Sequence, residues 1–269
     1  MTFKYSDELL SETHSSGNVT DHDFLHIVDA KSDLPEPTRT VVGYACDVSA
    51  LLHGYGLENK HGIFGGYGVL AQLVSRYGDS AIPFWRGSHD LDMFGSPKTL
   101  AAIKSGYKTD EGVKNHNISD KTTYAIQTLD SSEKECKLDF VTCDECKSPY
   151  EAETISVLGV PIRAVTPINL IISKIEPALT AERHLEDIES MLGVLEYRDT
   201  SPSHIADALE RPQVRKLYGL LSAAELDWQG RLNTGASETY LSELKRELNS
   251  RNKASVIVSD FKEKTRIQK

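Results

Sequence analysis

Apolar residues recur at intervals of three and four positions in two stretches of the first third of the chain, and this spacing predicts two amphipathic helices. The first predicted helix covers residues 41–57 and the second covers residues 67–77. Between them, residues 63–64 are typical of a short strand, and Gly65 and Gly66 follow that strand directly. The pattern therefore predicts the order helix, strand, glycine pair, helix.

Polar and apolar residues alternate further along the chain, as they do in half-buried strands. The alternation begins at residues 90–94, and a helix is predicted after it at residues 98–105. Four more strands are predicted, at residues 122–129, 136–142, 155–158 and 162–165.

A helical pattern takes over after the last of these strands. Thr166-Pro167 is a helix-start signal, because proline suits the first helical turn. Interruptions of the helical pattern are predicted at Pro177, at residues 199–203 and at residues 230–236.

Together these elements predict an α+β fold, in which a small mixed β-sheet core flanked by helices precedes a C-terminal helical portion. We expect the core to span residues 41–165 and the helical domain to span residues 166–269. Residues 1–40 are predicted to form an N-terminal arm, because prolines at positions 35 and 37 break any helix there.

Composition is ordinary for a globular protein of 269 residues, with 39% hydrophobic and 26% charged residues. The net charge of −10 argues against broad, nonspecific coating of nucleic acid. Residues 245–269 are locally basic, with eight Lys or Arg against three acids. This segment is suited to contact phosphates, but a solvated helical face or a frayed tail is the preferred interpretation.

The chain lacks the features of membrane and secreted proteins. No apolar run approaches the roughly 18 residues of a membrane span, and the polar N-terminus is unlike a secretory signal. We therefore expect a cytoplasmic protein whose cysteines are thiols. Cys143 and Cys146, with Cys136 nearby, invite a zinc interpretation, but the second ligand pair of a structural zinc site is not visible. Thiols without a metal are the preferred interpretation.

Three acidic residues form the candidate chemistry. Asp90 and Asp92 are two apart on a predicted strand, so their side chains share one face. Asp139 lies on another predicted strand, between Leu138 and Phe140, and joins the pair if the two strands are neighbours. Three acids on one face repel unless cations neutralise them, and Mg²⁺ (or Mn²⁺) meets that need while binding substrate phosphates.

Gly65 and Gly66 fit the same chemistry. Glycines between a strand and a helix let backbone N–H groups approach a phosphate at the positive end of the helix. Taken alone, the pair is more typical of a plain tight turn, and an Asp-x-Asp pair is common among solvated edge acids. The ordered combination of glycine pair, paired aspartates and third aspartate is what points to phosphate chemistry.

This combination resembles a known signature. The order Gly65-Gly66, Arg86-x-Ser88-x-Asp90-Leu91-Asp92 and Leu138-Asp139-Phe140 is similar to that of the DNA polymerase β superfamily of nucleotidyltransferases. Within the superfamily the chain most resembles the abortive-infection and toxin–antitoxin (AbiEii-type) nucleotidyltransferase toxins. Those toxins also carry a helical lysine before an Arg- and Asp-rich stretch, which residues 168–188 match. The resemblance covers roughly residues 41–195.

The resemblance implies roles for the aspartates and the glycines. Asp90 and Asp92 would hold the metal that accompanies a nucleoside triphosphate (NTP). Asp139 would complete a second metal site and help to deprotonate the acceptor hydroxyl. Gly65 and Gly66 would cradle the phosphates.

Further roles follow for three other residues. Ser88 would donate a hydroxyl hydrogen bond, and Lys174 would neutralise the β- and γ-phosphates. Lys174 is alternatively a surface lysine, and Arg86 either braces the site or contacts substrate. His184 departs from the toxin-like pattern, which often has an acid there, and Asp187 is spaced to pair with Arg183 on one helix.

The implied activity is metal-dependent transfer of a nucleoside monophosphate to a hydroxyl, with release of pyrophosphate. An RNA 3′ end, first of all tRNA, is the expected acceptor, and an antitoxin protein is a possible partner. An antibiotic or a protein hydroxyl is the alternative acceptor. The rivals from other classes are a non-catalytic nucleotide-binding or interaction module, against which the three acids argue, and a metal-dependent phosphohydrolase.

Overall fold

The structure is a computed structural model, which describes residues 38–88, 90–106, 114–118, 121–129, 135–143, 150–223 and 235–266. Contacts within the chain define two compact units, Met1–Thr166 and Pro167–Lys269. The predicted N-terminal arm lies outside the described residues, apart from residues 38–40 at its end.

Helices and strands intermix in the first unit. Its helices are α1 (Thr38–Gly54), α2 (Gly65–Tyr77), a 3-10 helix (Gly78–Phe84) and α3 (Pro97–Gly106). Its strands are β1 (His61–Phe64), β2 (Asp90–Gly95), β3 (Lys114–Ile118), β4 (Lys121–Leu129), β5 (Glu135–Thr142), β6 (Ala152–Val157) and β7 (Val160–Val165).

The strands of this described region form one seven-stranded sheet in the order β3-β4-β5-β2-β1-β7-β6. β2 pairs with β5, and β1 with β7, in parallel, whereas the remaining neighbours are antiparallel. A mixed sheet with helices packed against it confirms the predicted α+β fold.

Alternation along the central strands separates a core face from a second face. Ile63, Leu91, Met93, Leu138 and Phe140 point to the core face and have no exposed surface. They belong to one apolar cluster that also contains side chains of α1, α2 and α3. Because neighbours along a strand point to opposite faces, the polar residues between them are directed away from this core.

One strand was not predicted from the sequence. β3 pairs with β4 from Lys114↔Ala125 to Ile118↔Lys121. Its sequence Lys-Asn-His-Asn-Ile has almost no apolar residue, so no period-two hydrophobic pattern marks it. Backbone hydrogen bonding to β4 defines this strand.

The second unit is helical as far as it is described. It contains α4 (Pro167–Ala178), α5 (Glu182–Tyr197), α6 (Pro202–Ala208), α7 (Arg211–Ala223) and α8 (Glu238–Arg266). None of the described helices combines the length and the apolarity needed to cross a bilayer.

The predicted helix boundaries in this unit are mostly confirmed. Pro167 is the first residue of α4, and Pro177 lies in its last turn, one residue before the helix ends. Ser201 caps α6 by accepting a hydrogen bond from the His204 backbone N–H at 3.3 Å, which explains the predicted break at residues 199–203. The break between α6 and α7 was not predicted, and residues 224–234, in the third predicted interruption, lie outside the described residues.

Candidate active site

The three candidate aspartates meet on one face of the sheet. β2 and β5 are parallel neighbours, and their register places Asp92 directly beside Asp139. Asp90 lies two residues before Asp92, on the same face. One carboxylate oxygen from each residue lies within 4.8 Å of the other two, and all three side chains are half-buried. The structure thus brings together the residues that the sequence singled out.

Their proximity has an electrostatic consequence. Two unit charges 4.8 Å apart repel by about 1–3.5 kcal/mol for an effective dielectric constant between that of water and that of a protein surface. Three such charges strongly favour a bound cation, and carboxylate oxygens are the ligands that Mg²⁺ prefers. The donor set therefore fits a hard divalent ion.

Ser88 fixes one of these carboxylates. Its hydroxyl donates a hydrogen bond to Oδ1 of Asp90 at 3.0 Å. Ser88 in turn packs tightly against the start of α2, since a Cβ added at Gly66 would lie 3.0 Å from the Ser88 Oγ. In the structure, the predicted hydroxyl donor thus orients a candidate metal ligand.

Glycine is required at position 65, because a side chain there would collide with the carboxylate of Asp92. Phe64, the last residue of β1, is paired with Asp92 of β2, so the chain reaches Gly65 beside the Asp92 carboxylate. A Cβ at Gly65 would lie 1.7 Å from Oδ2 of Asp92. The φ angle of Gly65 is +65°, a left-handed conformation that favours glycine. No residue with a side chain fits here unless Asp92 moves.

Helix α2 begins at this point, with Gly65 and Gly66 as its first residues. The first backbone N–H groups of a helix lack partners within the helix and carry a partial positive charge. Gly65, the first residue of this helix, lies beside the Asp92 carboxylate. The site therefore combines oxygen ligands for a cation with N–H donors suited to a phosphate.

Trp85 and Arg86, which precede Ser88, have different environments. Trp85 is 6% exposed and its ring meets the ring of Tyr67 edge-on, with 6.1 Å between centroids, so it is part of the core. Arg86 is exposed, and its Nη1 donates to the Gly87 carbonyl oxygen at 3.3 Å. The role of Arg86 towards substrate stays a prediction.

Lys174 belongs to the second unit, on α4. Its Nζ lies 3.1 Å from Oδ2 of Asp187 on α5, and the two side chains are only 9% and 2% exposed. The Nδ1 atom of His184 lies 3.7 Å from the same oxygen. Lys174 is therefore not a surface lysine. Sequence reasoning assigned Asp187 to Arg183 and missed this pair, because the contact depends on the packing of α4 against α5.

The cysteines are described only in part. Cys46 is buried in α1, and burial raises the pKa of its thiol to about 12. Cys143 follows β5 and is half-buried. Cys146 and the side chain of Cys136 lie outside the described residues, so the zinc interpretation is untested.

No protein-family model matches the chain, and no curated protein matches it significantly. Parts of three solved structures are similar. ANT(2'')-Ia in complex with adenylyl-2''-tobramycin is 12% identical over 60% of this chain and 92% of that chain, with a TM-score of 0.43. A solution structure of the antibiotic-resistance factor ANT(2'')-Ia is 14% identical over 68% and 95%, with a TM-score of 0.44.

The third structure is an antigenic nucleotidyltransferase-like protein from Paracoccidioides brasiliensis. It is 16% identical over 60% of this chain and 76% of that chain, with a TM-score of 0.37.

Proposed function

We propose that this protein is a metal-dependent nucleotidyltransferase of the DNA polymerase β superfamily. It transfers a nucleoside monophosphate from an NTP to an acceptor hydroxyl and releases pyrophosphate. The observation that carries the proposal is the convergence of Asp90, Asp92 and Asp139 within 4.8 Å, beside a glycine pair that opens a helix.

The carboxylates are the proposed metal ligands. Asp90 and Asp92 hold the ion that accompanies the triphosphate, and Asp139 contributes to a second ion. Mg²⁺ (or Mn²⁺), when bound, neutralises the phosphates and stabilises the attacking and leaving oxygens of an in-line displacement. The hydrogen bond from Ser88 keeps the Asp90 carboxylate in one orientation.

The backbone and two cationic side chains are the proposed phosphate ligands. Gly65 and Gly66 present the N–H groups of the α2 terminus, where the helix dipole favours negative charge. Lys174 places its charge on the β- and γ-phosphates. Arg86 is exposed, and its role is either to contact the same NTP or to brace the strand.

The chemical step exchanges one phosphorus–oxygen bond for another. The acceptor oxygen bonds to the α-phosphorus, the bond from that phosphorus to the β-bridging oxygen breaks, and pyrophosphate leaves. Asp139 accepts the proton of the acceptor hydroxyl. Most of the catalysis then comes from positioning and from charge stabilisation.

The acceptor in this proposal is an RNA 3′ end, first of all that of tRNA. Two features support it: the resemblance of residues 41–195 to the toxin nucleotidyltransferases, and the basic segment 245–269. An antitoxin protein is then an expected partner.

Two other classes of function fit the site less well. A binding-only module has little use for three carboxylates within 4.8 Å, because their repulsion costs folding free energy. A metal-dependent phosphohydrolase usually recruits histidine ligands, whereas the metal-ligand group found in the described part of the chain contains only aspartates.

The experiment supplies each α-labelled NTP with Mg²⁺ and a cell extract, and follows covalent attachment of the label. A protein carrying Asp90→Ala and Asp92→Ala is the blank. Label that ribonuclease removes supports the RNA acceptor, whereas label that protease removes replaces it with a protein. Label on a small molecule favours an antibiotic-type acceptor. No label above the blank with any NTP contradicts the proposed transfer.

A further inference from the structure

Three aromatic rings lie together on the face of the sheet that carries the aspartates. Phe64 is paired with Asp92 across β1 and β2, and directly opposed residues of two neighbouring strands point to the same face. Phe94 follows Asp92 by two positions and therefore shares that face. Tyr150 lies just before β6, and its ring contacts both of the other rings. Phe64, Phe94 and Tyr150 together form the aromatic patch.

The rings of the aromatic patch support one another. Their centroids are between 6.1 and 6.3 Å apart, and the rings are tilted or edge-on, as in favourable aromatic pairs. The Phe94 ring lies over β1, because Gly62 leaves room there and a Cβ at that position would collide with the ring. Phe94 is 3% exposed, whereas Phe64 and Tyr150 are half-buried. Two residues of the aromatic patch thus keep part of their surface accessible.

The aromatic patch is separate from the hydrophobic core of the first unit. The core cluster of the described residues includes Ile63 and Met93, which point to the opposite face of the same strands, and none of the three rings belongs to it. Small-molecule sites typically combine an aromatic wall with a few placed polar groups. The aromatic patch beside the Asp92 carboxylate has this combination.

The position of the aromatic patch selects one part of the proposed substrates. In the sheet, β1 and β5 lie on opposite sides of β2. Asp139, the proposed acceptor of the hydroxyl proton, is on β5, whereas Phe64 on β1 directly precedes the glycine pair proposed to bind phosphate. The aromatic patch is therefore on the NTP side of the site and not on the acceptor side. The flat group of an NTP is its nucleobase, and every base has a face that stacks on an aromatic ring.

We propose that the aromatic patch binds the nucleobase of the NTP, with Phe64 and Tyr150 stacking against it. Phe94 is buried and supports these two rings without contacting the base. The inference rests on the proposed function, because it takes the phosphates to lie at Asp92 and Gly65 and adds the position of the base. Since stacking tolerates any base, the aromatic patch contributes affinity for nucleotides more than it selects among them.

The test compares two kinds of ligand by calorimetry, with Mg²⁺ and without an acceptor. One is inorganic triphosphate, and the other is ATP, GTP, CTP or UTP, whichever binds most tightly. Only the NTPs carry a nucleoside, so the ratio of the two dissociation constants measures what the nucleoside adds. We expect Tyr150→Leu and Phe64→Leu each to lower this ratio about fivefold or more, and to bind inorganic triphosphate as the wild type does. Tyr150→Phe keeps the ring and should keep the ratio.

Tyr197→Leu is the matched control. It removes a tyrosine that is 59% exposed at the end of α5, in the second unit, and it should leave both dissociation constants unchanged.

The outcomes separate this inference from the proposed function. A wild-type protein that binds neither triphosphate nor any NTP contradicts the proposed function itself. A wild type that binds triphosphate as tightly as every NTP overturns only the role of the aromatic patch, and so does an undiminished ratio in folded Tyr150→Leu and Phe64→Leu. An equal loss of both ligands in a folded variant overturns it too, because that loss concerns the phosphates. If one variant does not fold, the other decides.

Discussion

Gly65 allows the sharpest test of the site. The Asp92 carboxylate occupies the space that a side chain at position 65 would need, so a substitution there displaces Asp92. In Gly65→Ala the new Cβ would lie 1.7 Å from Oδ2 and 2.6 Å from Cγ of Asp92. Non-bonded heavy atoms pack best at about 3.5–4.0 Å, so the Asp92 carboxylate has to move by more than about 1 Å. The perturbation therefore acts on a candidate metal ligand without changing its chemistry.

The size of the effect follows from two contributions. Alanine at a φ of +65° carries left-handed strain, which costs about 1–2 kcal/mol of unfolding free energy. A displacement of about 1 Å at a reacting centre can lower the rate about 100-fold. We expect both losses in Gly65→Ala, measured by urea unfolding and by the labelled-NTP assay.

Two other glycines provide matched controls. Gly78 has a φ of +67°, and a Cβ there would meet nothing within 4 Å, so Gly78→Ala introduces the strain without the contact. Gly219 lies in α7 with open space and no left-handed backbone, and Gly219→Ala should raise stability by about 0.5–1 kcal/mol. Transfer should stay normal in both variants.

Transfer at the wild-type rate by a folded Gly65→Ala variant would contradict the proposed dependence of the site on Gly65. An equal loss of transfer in Gly78→Ala and Gly65→Ala would contradict it as well, because the loss would then follow from backbone strain and not from a displaced Asp92.

Three further predictions concern charge. Asp92→Asn should lower transfer by orders of magnitude. It should also raise the stability of the metal-free protein by about 1 kcal/mol or more, because it relieves the repulsion among the three carboxylates. Near-normal transfer would contradict the metal assignment. Millimolar Mg²⁺ should raise the melting temperature of the wild type but not of Asp90→Ala/Asp92→Ala, and an equal rise in both would contradict the site. His61 donates to the Leu57 carbonyl oxygen at 3.1 Å, and burial lowers its pKa to about 4. The unfolded chain then binds the proton more tightly, so about 3 kcal/mol of stability is lost as the pH falls from 6.5 to 4, and this loss should disappear in His61→Gln.

The hydrogen bond and the burial of His61 both favour its neutral ring in the folded protein. The neutral ring keeps a proton on Nδ1 for the Leu57 carbonyl, whereas the charged ring would be buried. Urea unfolding at pH 7 and pH 4 measures the difference. A wild type and a His61→Gln variant with the same pH dependence would contradict it.

Local patterns in the sequence determined most of the elements of the first unit. The strand at residues 90–94 and the helix after Gly66 were predicted because burial on one side imposes a period of two on a strand and of 3.6 on a helix. β3 was missed because its residues carry no such period. Its existence depends on the edge that β4 offers to it.

In the candidate site, too, the sequence determined some features and the tertiary structure determined others. That Asp90 and Asp92 share a face follows from the pleat of a single strand, and the sequence alone determined it. That Asp139 lies beside Asp92 depends on β5 being the parallel neighbour of β2, although more than 40 residues separate them in the chain. Hydrophobic alternation shows which face of a strand is buried, but it does not say which strands are neighbours.

The same reason applies to Gly65 and Lys174. The sequence showed a glycine pair and a lysine in suitable places. The tertiary structure decided that Gly65 has no room for a Cβ because of Asp92, and that Lys174 is held by Asp187 across two packed helices. Residue type and spacing determine which chemistry a chain can offer. Contacts between distant segments decide which atoms meet, because every such contact depends on how whole helices and strands pack together.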